Sequence, residues 1–292
     1  MQNNLNLASI DINQLVERAL QEDYSLGDPT SNAIITTDLS GTARIVARQE
    51  GVCSGLPIAK KILERVDNTL QIQELSTDGQ RLEKDQIILE IKGSVRSILA
   101  AERTTLNFLQ HLSGIATQTA TYVNAVSGTA ARIVDTRKTT PGLRKLEKYA
   151  VLCGGARNHR QSLGDGILIK DNHIIALKSV GHTISTIVKL ARDQAPHALR
   201  IEIEVESEAE AIEAMEAGAD VLLLDNMSAK QIQKIIPQLH NKVTTEASGG
   251  ITLDSVREIA ATGVDIISVG AITHSAPSLD LSLDIVTIHL DS

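Results

Sequence analysis

The sequence predicts an α/β protein: a mixed α+β unit over the first hundred residues, then a run of parallel βα units. Three observations carry this. After residue 130, short β-branched runs alternate with helical patterns. Each of those runs ends in polar or glycine-rich residues, where parallel βα architectures build their sites. The chain has a net charge of −8, yet it gathers eight Lys and Arg between Arg137 and Lys170, as expected of an acidic protein that holds a small polyanion there.

In chain order, INQLVERAL places Ile12, Leu15, Val16, Ala19 and Leu20 on one helical face, with Asp11 as its candidate cap. TARIVARQ alternates as a half-buried strand does. PIAKKILERV opens a helix with Pro57 in the first turn, where a missing N–H costs nothing. QIQELSTDGQRLEKDQIILEIKG reads as strands around an Asp78-Gly79 turn. From Val95 the pattern becomes helical through SVRSILAAERTTLNFLQHL, with a second helix after Gly114. The later strands are ARIVD, GILIK, RIEIEV, VLLLD, VTTEA and VDIISV. Helices such as TISTIVKLARDQ, EAEAIEAMEAG, SAKQIQKIIPQL and TLDSVREIAATG lie between them. Six such units fit either a barrel or an open doubly wound sheet. No βα pair carries a Gly-x-Gly-x-x-Gly run or a Walker sequence, which disfavours dinucleotide-binding and P-loop folds.

Composition excludes several classes. Apolar residues make up 42% of the chain and no apolar run approaches the ~20 residues of a membrane helix. The start, MQNNLNLASIDINQ, has neither the basic nor the apolar region of an export signal. Cys53 and Cys153 have no metal-ligand spacing and no disulfide framework, which points to a reducing, cytoplasmic setting. Negative charge with three Tyr, one Phe and no Trp argues against nucleic-acid binding.

Three constellations carry chemistry. Arg137, Lys138, His159, Arg160 and Lys170 form a cation cluster; such groups repel one another unless an anion fills the space between them. Arg144, Lys145 and Lys148 follow Pro141 in a helical pattern and read instead as a solvated face, paired with Glu147 and Asp165. Glu202, Glu204 and Glu206 share one face of a strand, which requires cationic or metal partners unless that strand is a solvated edge. Asp225 ends the next strand, and two acids at neighbouring strand ends suit Mg²⁺ beside a pyrophosphate. Ser248-Gly249-Gly250 and Val269-Gly270-Ala271 follow the last two strands, where backbone N–H groups of a barrel cradle phosphate, although tight turns alone would explain them. Arg103, in AERTTLNFL, reads by periodicity as an ordinary exposed helix Arg.

These residues lie in segments that closely resemble the quinolinate phosphoribosyltransferases: AERTTLNFLQHLSGIAT, DTRKTTPGLRKLEKYAV, CGGARNHRQSLGDGILIKDNHI, IEIEVES, LLLDNMS, EASGGI and VDIISVGAITHSAP. The resemblance spans most of residues 100–277, and DTRKTTPG and RNHRxxLxDxxLIKDNH are its most specific parts. It implies an incomplete α/β barrel of about six or seven parallel strands over 113–275, and an amino-terminal α/β sandwich over 1–112 completed by 276–292. It also implies transfer of phosphoribose from phosphoribosyl pyrophosphate to quinolinate. The products are nicotinate mononucleotide, pyrophosphate and CO₂, on the route to NAD. Carried onto this chain, Arg103 of a neighbouring subunit in a homodimer, with Arg137, His159, Arg160 and Lys170, would surround the quinolinate carboxylates. Lys138 would lie near quinolinate and pyrophosphate, Glu204 and Asp225 would face ribose and Mg²⁺, and the two glycine turns would hold the 5-phosphate. Two rivals are a related enzyme for another heterocyclic acid and a non-catalytic polyanion binder. The second gains nothing from carboxylates in its mouth.

Overall fold

The computed structural model describes residues 12–290; Asp11, the candidate helix cap, lies outside them. The described residues begin with α1 (Ile12–Tyr24), α2 (Pro29–Ile34), β1 (Leu39–Ala47), β2 (Gly51–Val52), α3 (Leu56–Val66), β3 (Gln71–Glu74), β4 (Arg81–Leu82) and β5 (Ile87–Ser94). It continues α4 (Val95–Ala125), β6 (Arg132–Val134), α5 (Arg144–Cys153), β7 (Ile167–Ile169), α6 (Asp171–Lys178), α7 (Ile184–Gln194), β8 (Ile201–Val205) and α8 (Glu208–Glu216). The remainder is β9 (Val221–Asp225), α9 (Ala229–Leu239), β10 (Thr244–Ser248), α10 (Leu253–Ala260), β11 (Ile266–Ser268), α11 (Ala271–His274) and β12 (Leu281–Leu290). Two compact units result. One holds the residues up to Ala120, Lys145–Gly155 and the segment from Ala276; the other holds Thr121–Arg144 and Ala156–Ser275.

The first unit is built on an antiparallel sheet of order β12-β1-β5-β3. Its interior comes from the alternating residues of β1 and β5, with Ala43, Ile45, Leu89 and Ile91 fully buried. Helix α1 buries Val16 and Leu20 from the predicted face and packs on α3. The expected strands form on both sides of the Asp78-Gly79 turn, with β3 pairing antiparallel to β5 and β4 to β2. Asp78 accepts the backbone N–H groups of Gly55 and Leu56 at 3.0 and 3.1 Å, satisfying the first turn of α3, and the hydroxyl of Tyr149 at 2.7 Å. The two helices expected on either side of Gly114 are one continuous helix, α4. Glycine is needed there for approach rather than for a break, because a Cβ would fall well inside contact distance of the Pro277 carbonyl oxygen. Gly114→Ala should therefore cost about 3 kcal/mol, the upper part of the overpacking range, read as a lower midpoint in urea unfolding.

The segment α5 also corrects the sequence reading. Lys145 is exposed, but Glu147 and Lys148 have no exposed surface, and Glu147 Oε1 lies 2.9 Å from His111 Nε2. Arg144 donates to Thr139 Oγ1 and the Gln161 carbonyl, while Asp165 accepts the backbone N–H groups of Gln161 and Ser162. Buried charges are tolerated when paired, so this helix is an internal polar contact and not a solvated cation face.

The second unit is a six-stranded, all-parallel sheet of order β6-β11-β10-β9-β8-β7. Strand order decides between the two architectures left open by periodicity. A doubly wound sheet reverses direction at a switch point. Here β7 to β11 follow one another without reversal and β6 joins β11, the cyclic order of a barrel interrupted, among the described residues, only between β6 and β7. A parallel bridge from Val134 to Arg157 extends the β6 edge by one residue. The architecture is the expected incomplete α/β barrel. The strands are nearly continuous apolar runs, such as Val221–Leu224 of β9, as sheets covered on both faces require. Ser207, Ser228 and Thr183 cap α8, α9 and α7, so the hydroxyls at those loop ends serve the helices.

Candidate active site

The carboxyl ends of the barrel strands surround one cavity of about 530 Å³. Of the residues singled out by sequence, Arg137, Lys138, His159, Arg160, Lys170, Glu204, Asp225, Ser248, Gly249 and Gly250 line it. Val269, Gly270 and Ala271 do not line it. Val269 is buried, and Gly270 sits behind Lys138, where an added Cβ would come within 3.1 Å of Lys138 Cδ. Arg103 is exposed on α4, in the first unit.

The cation side is held by backbone chemistry. Lys138 is fixed at both peptide ends: its N–H donates to Thr136 Oγ1 at 3.0 Å and its carbonyl accepts from Thr273 Oγ1 at 2.7 Å. Arg137 buries its Nε without a hydrogen-bond partner among the described residues. Arg160 donates to the Gly166 carbonyl at 3.2 Å. Burial, and then the neighbouring Arg137 charge, lower the pKa of the Arg160 guanidinium from its ordinary value. Two guanidiniums that disfavour each other, one with an unused donor, form an anion site by default.

The acid side is equally organised. β8 lies between β7 and β9, so its acids are not on an edge. Glu204 accepts the Asp171 N–H at 3.0 Å and lies 3.4 Å from Lys170 Nζ. Asp225 accepts from Asn226 Nδ2 at 2.7 Å. Burial and the charges of Glu204, Glu206 and Asp171 raise its carboxyl, with the Asn226 hydrogen bond opposing them. Two oxygen-donor acids whose mutual repulsion is already felt make a set that suits a hard divalent cation.

The glycine turn shows a firmer constraint. Gly249 has φ of +92°, and a Cβ on it would collide with the Asn226 side chain, which itself has φ of +54°. The turns after β9 and β10 thus fit together without side-chain room between them. With Ser248, Gly249 and Gly250 in the lining, the turn after β10 leaves the room for close backbone approach that a phosphate site needs.

Thr136, Asp171 and Asn226, strand-end residues given no separate role by sequence, also line the cavity, and sequence reasoning missed Glu246 and Ser268. Glu246 carried a usable signal: a carboxylate inside VTTEA, a strand buried on both faces, raises the same objection that singled out Glu204.

Comparison with known proteins decides the lineage. Residues 28–113 match the model of the quinolinate phosphoribosyl transferase N-terminal domain, and 115–284 match that of its C-terminal domain. The chain belongs to the quinolinate phosphoribosyltransferase family. A probable nicotinate-nucleotide pyrophosphorylase [carboxylating] of Bacillus subtilis is 43% identical over 276 residues, which is 94% of each chain. A tobacco protein named quinolinate phosphoribosyltransferase [decarboxylating] 2a, mitochondrial, is 36% identical, over 95% of this chain and 83% of that one. The crystal structure of NadC from Streptococcus pyogenes superposes with a TM-score of 0.91 at 40% identity, covering 98% and 99% of the two chains. Family members thus share both units of this chain, not the barrel alone.

Proposed function

We propose that this cavity binds quinolinate and phosphoribosyl pyrophosphate side by side and that the chain catalyses the family's reaction there. The products are nicotinate mononucleotide, pyrophosphate and CO₂, a step in making NAD. The observation that carries this reading is a single cavity with Arg137, Lys138, Arg160 and Lys170 among its walls together with Glu204 and Asp225. Arg137, Arg160 and Lys170, with His159 in the same wall, take the quinolinate carboxylates. Lys138 stands beside the departing pyrophosphate. The Ser248-Gly249-Gly250 turn receives the 5-phosphate, with Val269-Gly270-Ala271 at the end of the neighbouring strand.

The chemistry follows from these roles. Departure of pyrophosphate leaves positive charge on the ribose C1, and Glu204 and Asp225 stabilise it electrostatically. The quinolinate nitrogen attacks directly, so no covalent enzyme intermediate and no Ser or Cys nucleophile are required. Both thiols have pKa values pushed up by burial, which suits inert cysteines. Once ribosylated, the pyridinium ring accepts the electrons released as the adjacent carboxylate leaves, so positioning and exclusion of water suffice. Glu204 and Asp225 would hold Mg²⁺, directly or through water, and the ion would neutralise charge on the leaving pyrophosphate.

The working form is a cytoplasmic homodimer. Its support is the edge strand β12, which exposes Ile285, Val286, Ile288 and Leu290, an apolar edge that a monomer would leave open to aggregation. Arg103 of the partner completes the quinolinate site. Among the described residues no helix is long and apolar enough to cross a membrane, and both cysteines are unpaired.

The direct test is release of CO₂ and pyrophosphate from quinolinate and phosphoribosyl pyrophosphate with Mg²⁺; binding without release would leave only a polyanion binder. Arg160→Ala should raise the quinolinate KM roughly tenfold to a hundredfold, the loss of one charge-assisted contact, with far less effect on phosphoribosyl pyrophosphate. Equal rises for both substrates would place Arg160 at the other anion.

A further inference from the structure

Against His159, a residue of the cavity wall, lie two acids that the reaction described above does not use. Glu202 on β8 and Glu246 on β10 are 8% and 2% exposed, and both lie against the ring of His159. His159 Nε2 is 3.2 Å from Glu202 Oε2 and 3.6 Å from Glu246 Oε1, and one ligating atom of each of the three residues falls within 4.8 Å of the others. One oxygen of each carboxyl, Glu202 Oε1 and Glu246 Oε1, is buried with no hydrogen-bond donor among the described residues. Unsatisfied buried carboxylate oxygens are costly, so the cluster has a role that outweighs the penalty.

The ring itself tells a metal from a proton. His159 Nδ1 accepts the backbone N–H of Arg160 at 2.7 Å, so its lone pair is in use. A neutral imidazole with that lone pair engaged carries its hydrogen on Nε2, the atom that faces the two acids. A metal at Nε2 would need a ring stripped of both hydrogens. The cluster is therefore a hydrogen-bond assembly. Burial, with the Glu202 charge beside it, pushes the Glu246 carboxyl up to about 7, so this acid can itself supply a hydrogen to its neighbour.

What the assembly holds is the loop that carries Arg160. The segment is zipped to β6 by Arg157 N–H to the Ile133 carbonyl and by Asp135 N–H to the Arg157 carbonyl. Asp135 Oδ1 also accepts the His159 N–H at 2.8 Å. The ring is the last tie before Arg160, whose backbone it grips and whose guanidinium lines the cavity. We propose that Glu202 and Glu246 are positioning residues: Glu202 takes the Nε2–H of His159 and Glu246 braces Glu202 from the other side, so that together they lock the ring and through it set Arg160 for the heterocyclic dicarboxylate.

This inference rests on the reading of Arg160 as a quinolinate contact, and the experiment separates the two. Steady-state kinetics of the full-length protein are measured for Arg160→Ala, Glu202→Ala, Glu246→Ala, Glu202→Gln and Glu246→Gln. Both alanine variants should raise the quinolinate KM roughly tenfold, with the phosphoribosyl pyrophosphate KM within about twofold, as expected when a binding group is displaced by a fraction of an ångström. Gln at 202 can still accept the ring N–H, and Gln at 246 can still donate to Glu202, so each should bring that KM back to within about threefold of wild type. A selective effect in Arg160→Ala without one in the alanine variants overturns the inference alone. No selective effect in Arg160→Ala overturns the reading beneath it. Nitrogen-15 histidine spectra of the wild-type protein, assigned with His159→Gln, decide the matter even if the alanine variants fail to fold. A neutral ring protonated on Nε2 is expected. A ring protonated on Nδ1, or a metal-shifted Nε2 signal on adding Zn²⁺, overturns the assignment.

Discussion

Mixing two inactive variants, Arg103→Ala and Lys138→Ala, restores up to about a quarter of wild-type turnover if each site draws on both chains. The arithmetic comes from symmetry. In a homodimer with shared sites, each Arg103→Ala protein has two broken sites, and so does each Lys138→Ala protein. A mixed dimer places both lesions in one site and leaves the other whole. Random exchange makes half the dimers mixed, each with one good site of two. The structure supplies the contrast that makes the experiment worthwhile: Lys138 lines the barrel cavity, whereas Arg103 is an exposed residue of α4 in the other unit. Subunits are dissociated, mixed, reassociated and checked for exchange with two affinity tags. Verified mixed dimers as inactive as their parents would mean that Arg103 acts within its own chain or only in structure.

Chelation of divalent cations should depress turnover by roughly a thousandfold, the several kcal/mol that a metal contributes to a polyphosphate leaving group. The reason lies in the charge balance of the site. Lys138 and Lys170 bring positive charge, but Lys170 Nζ is already 3.4 Å from Glu204, and the carboxyl of Asp225 is raised by burial and by the Glu204 charge. A Mg²⁺ held by Glu204 and Asp225 would relieve that repulsion and supply counter-charge for the pyrophosphate. Activity should return in proportion to the Mg²⁺ added back once EDTA has been removed by dialysis. Full turnover in EDTA would remove the ion from the scheme and leave Lys138 as the main counter-charge.

Much of the second unit was legible because its signals are local. All six predicted barrel runs became strands, from β6 to β11, since β-branched residues in short runs between amphipathic helices have few other ways to bury their surface. The cation cluster and the two acids were legible for a related reason. Polar residues at the ends of apolar strands fall at one mouth in any parallel βα array, so ten named positions could be placed in one cavity before its shape was known.

Other features depend on partners far away in the chain, and no window of sequence contains them. The Asp78-Gly79 turn is local and legible, but which strands pair around it is not: β3 joins β5, and the short β4 joins β2 instead. Gly114 looks like a helix break, yet the helix runs through it, and the residue is small because the Pro277 backbone passes there. Lys148 looks like a solvated cation, but it is buried in a unit assembled from three separated segments. Glu246 looks like a stray polar residue in a strand until Glu202 and His159 are brought against it. The sequence by itself determined the elements, the chemistry at the strand ends and the family. Tertiary structure alone decided the strand order, the burial of single charges and the carboxyl cluster against His159. Periodicity reports which face of an element is apolar, whereas packing decides which distant group meets it, and an ionisable side chain takes its character from that neighbour.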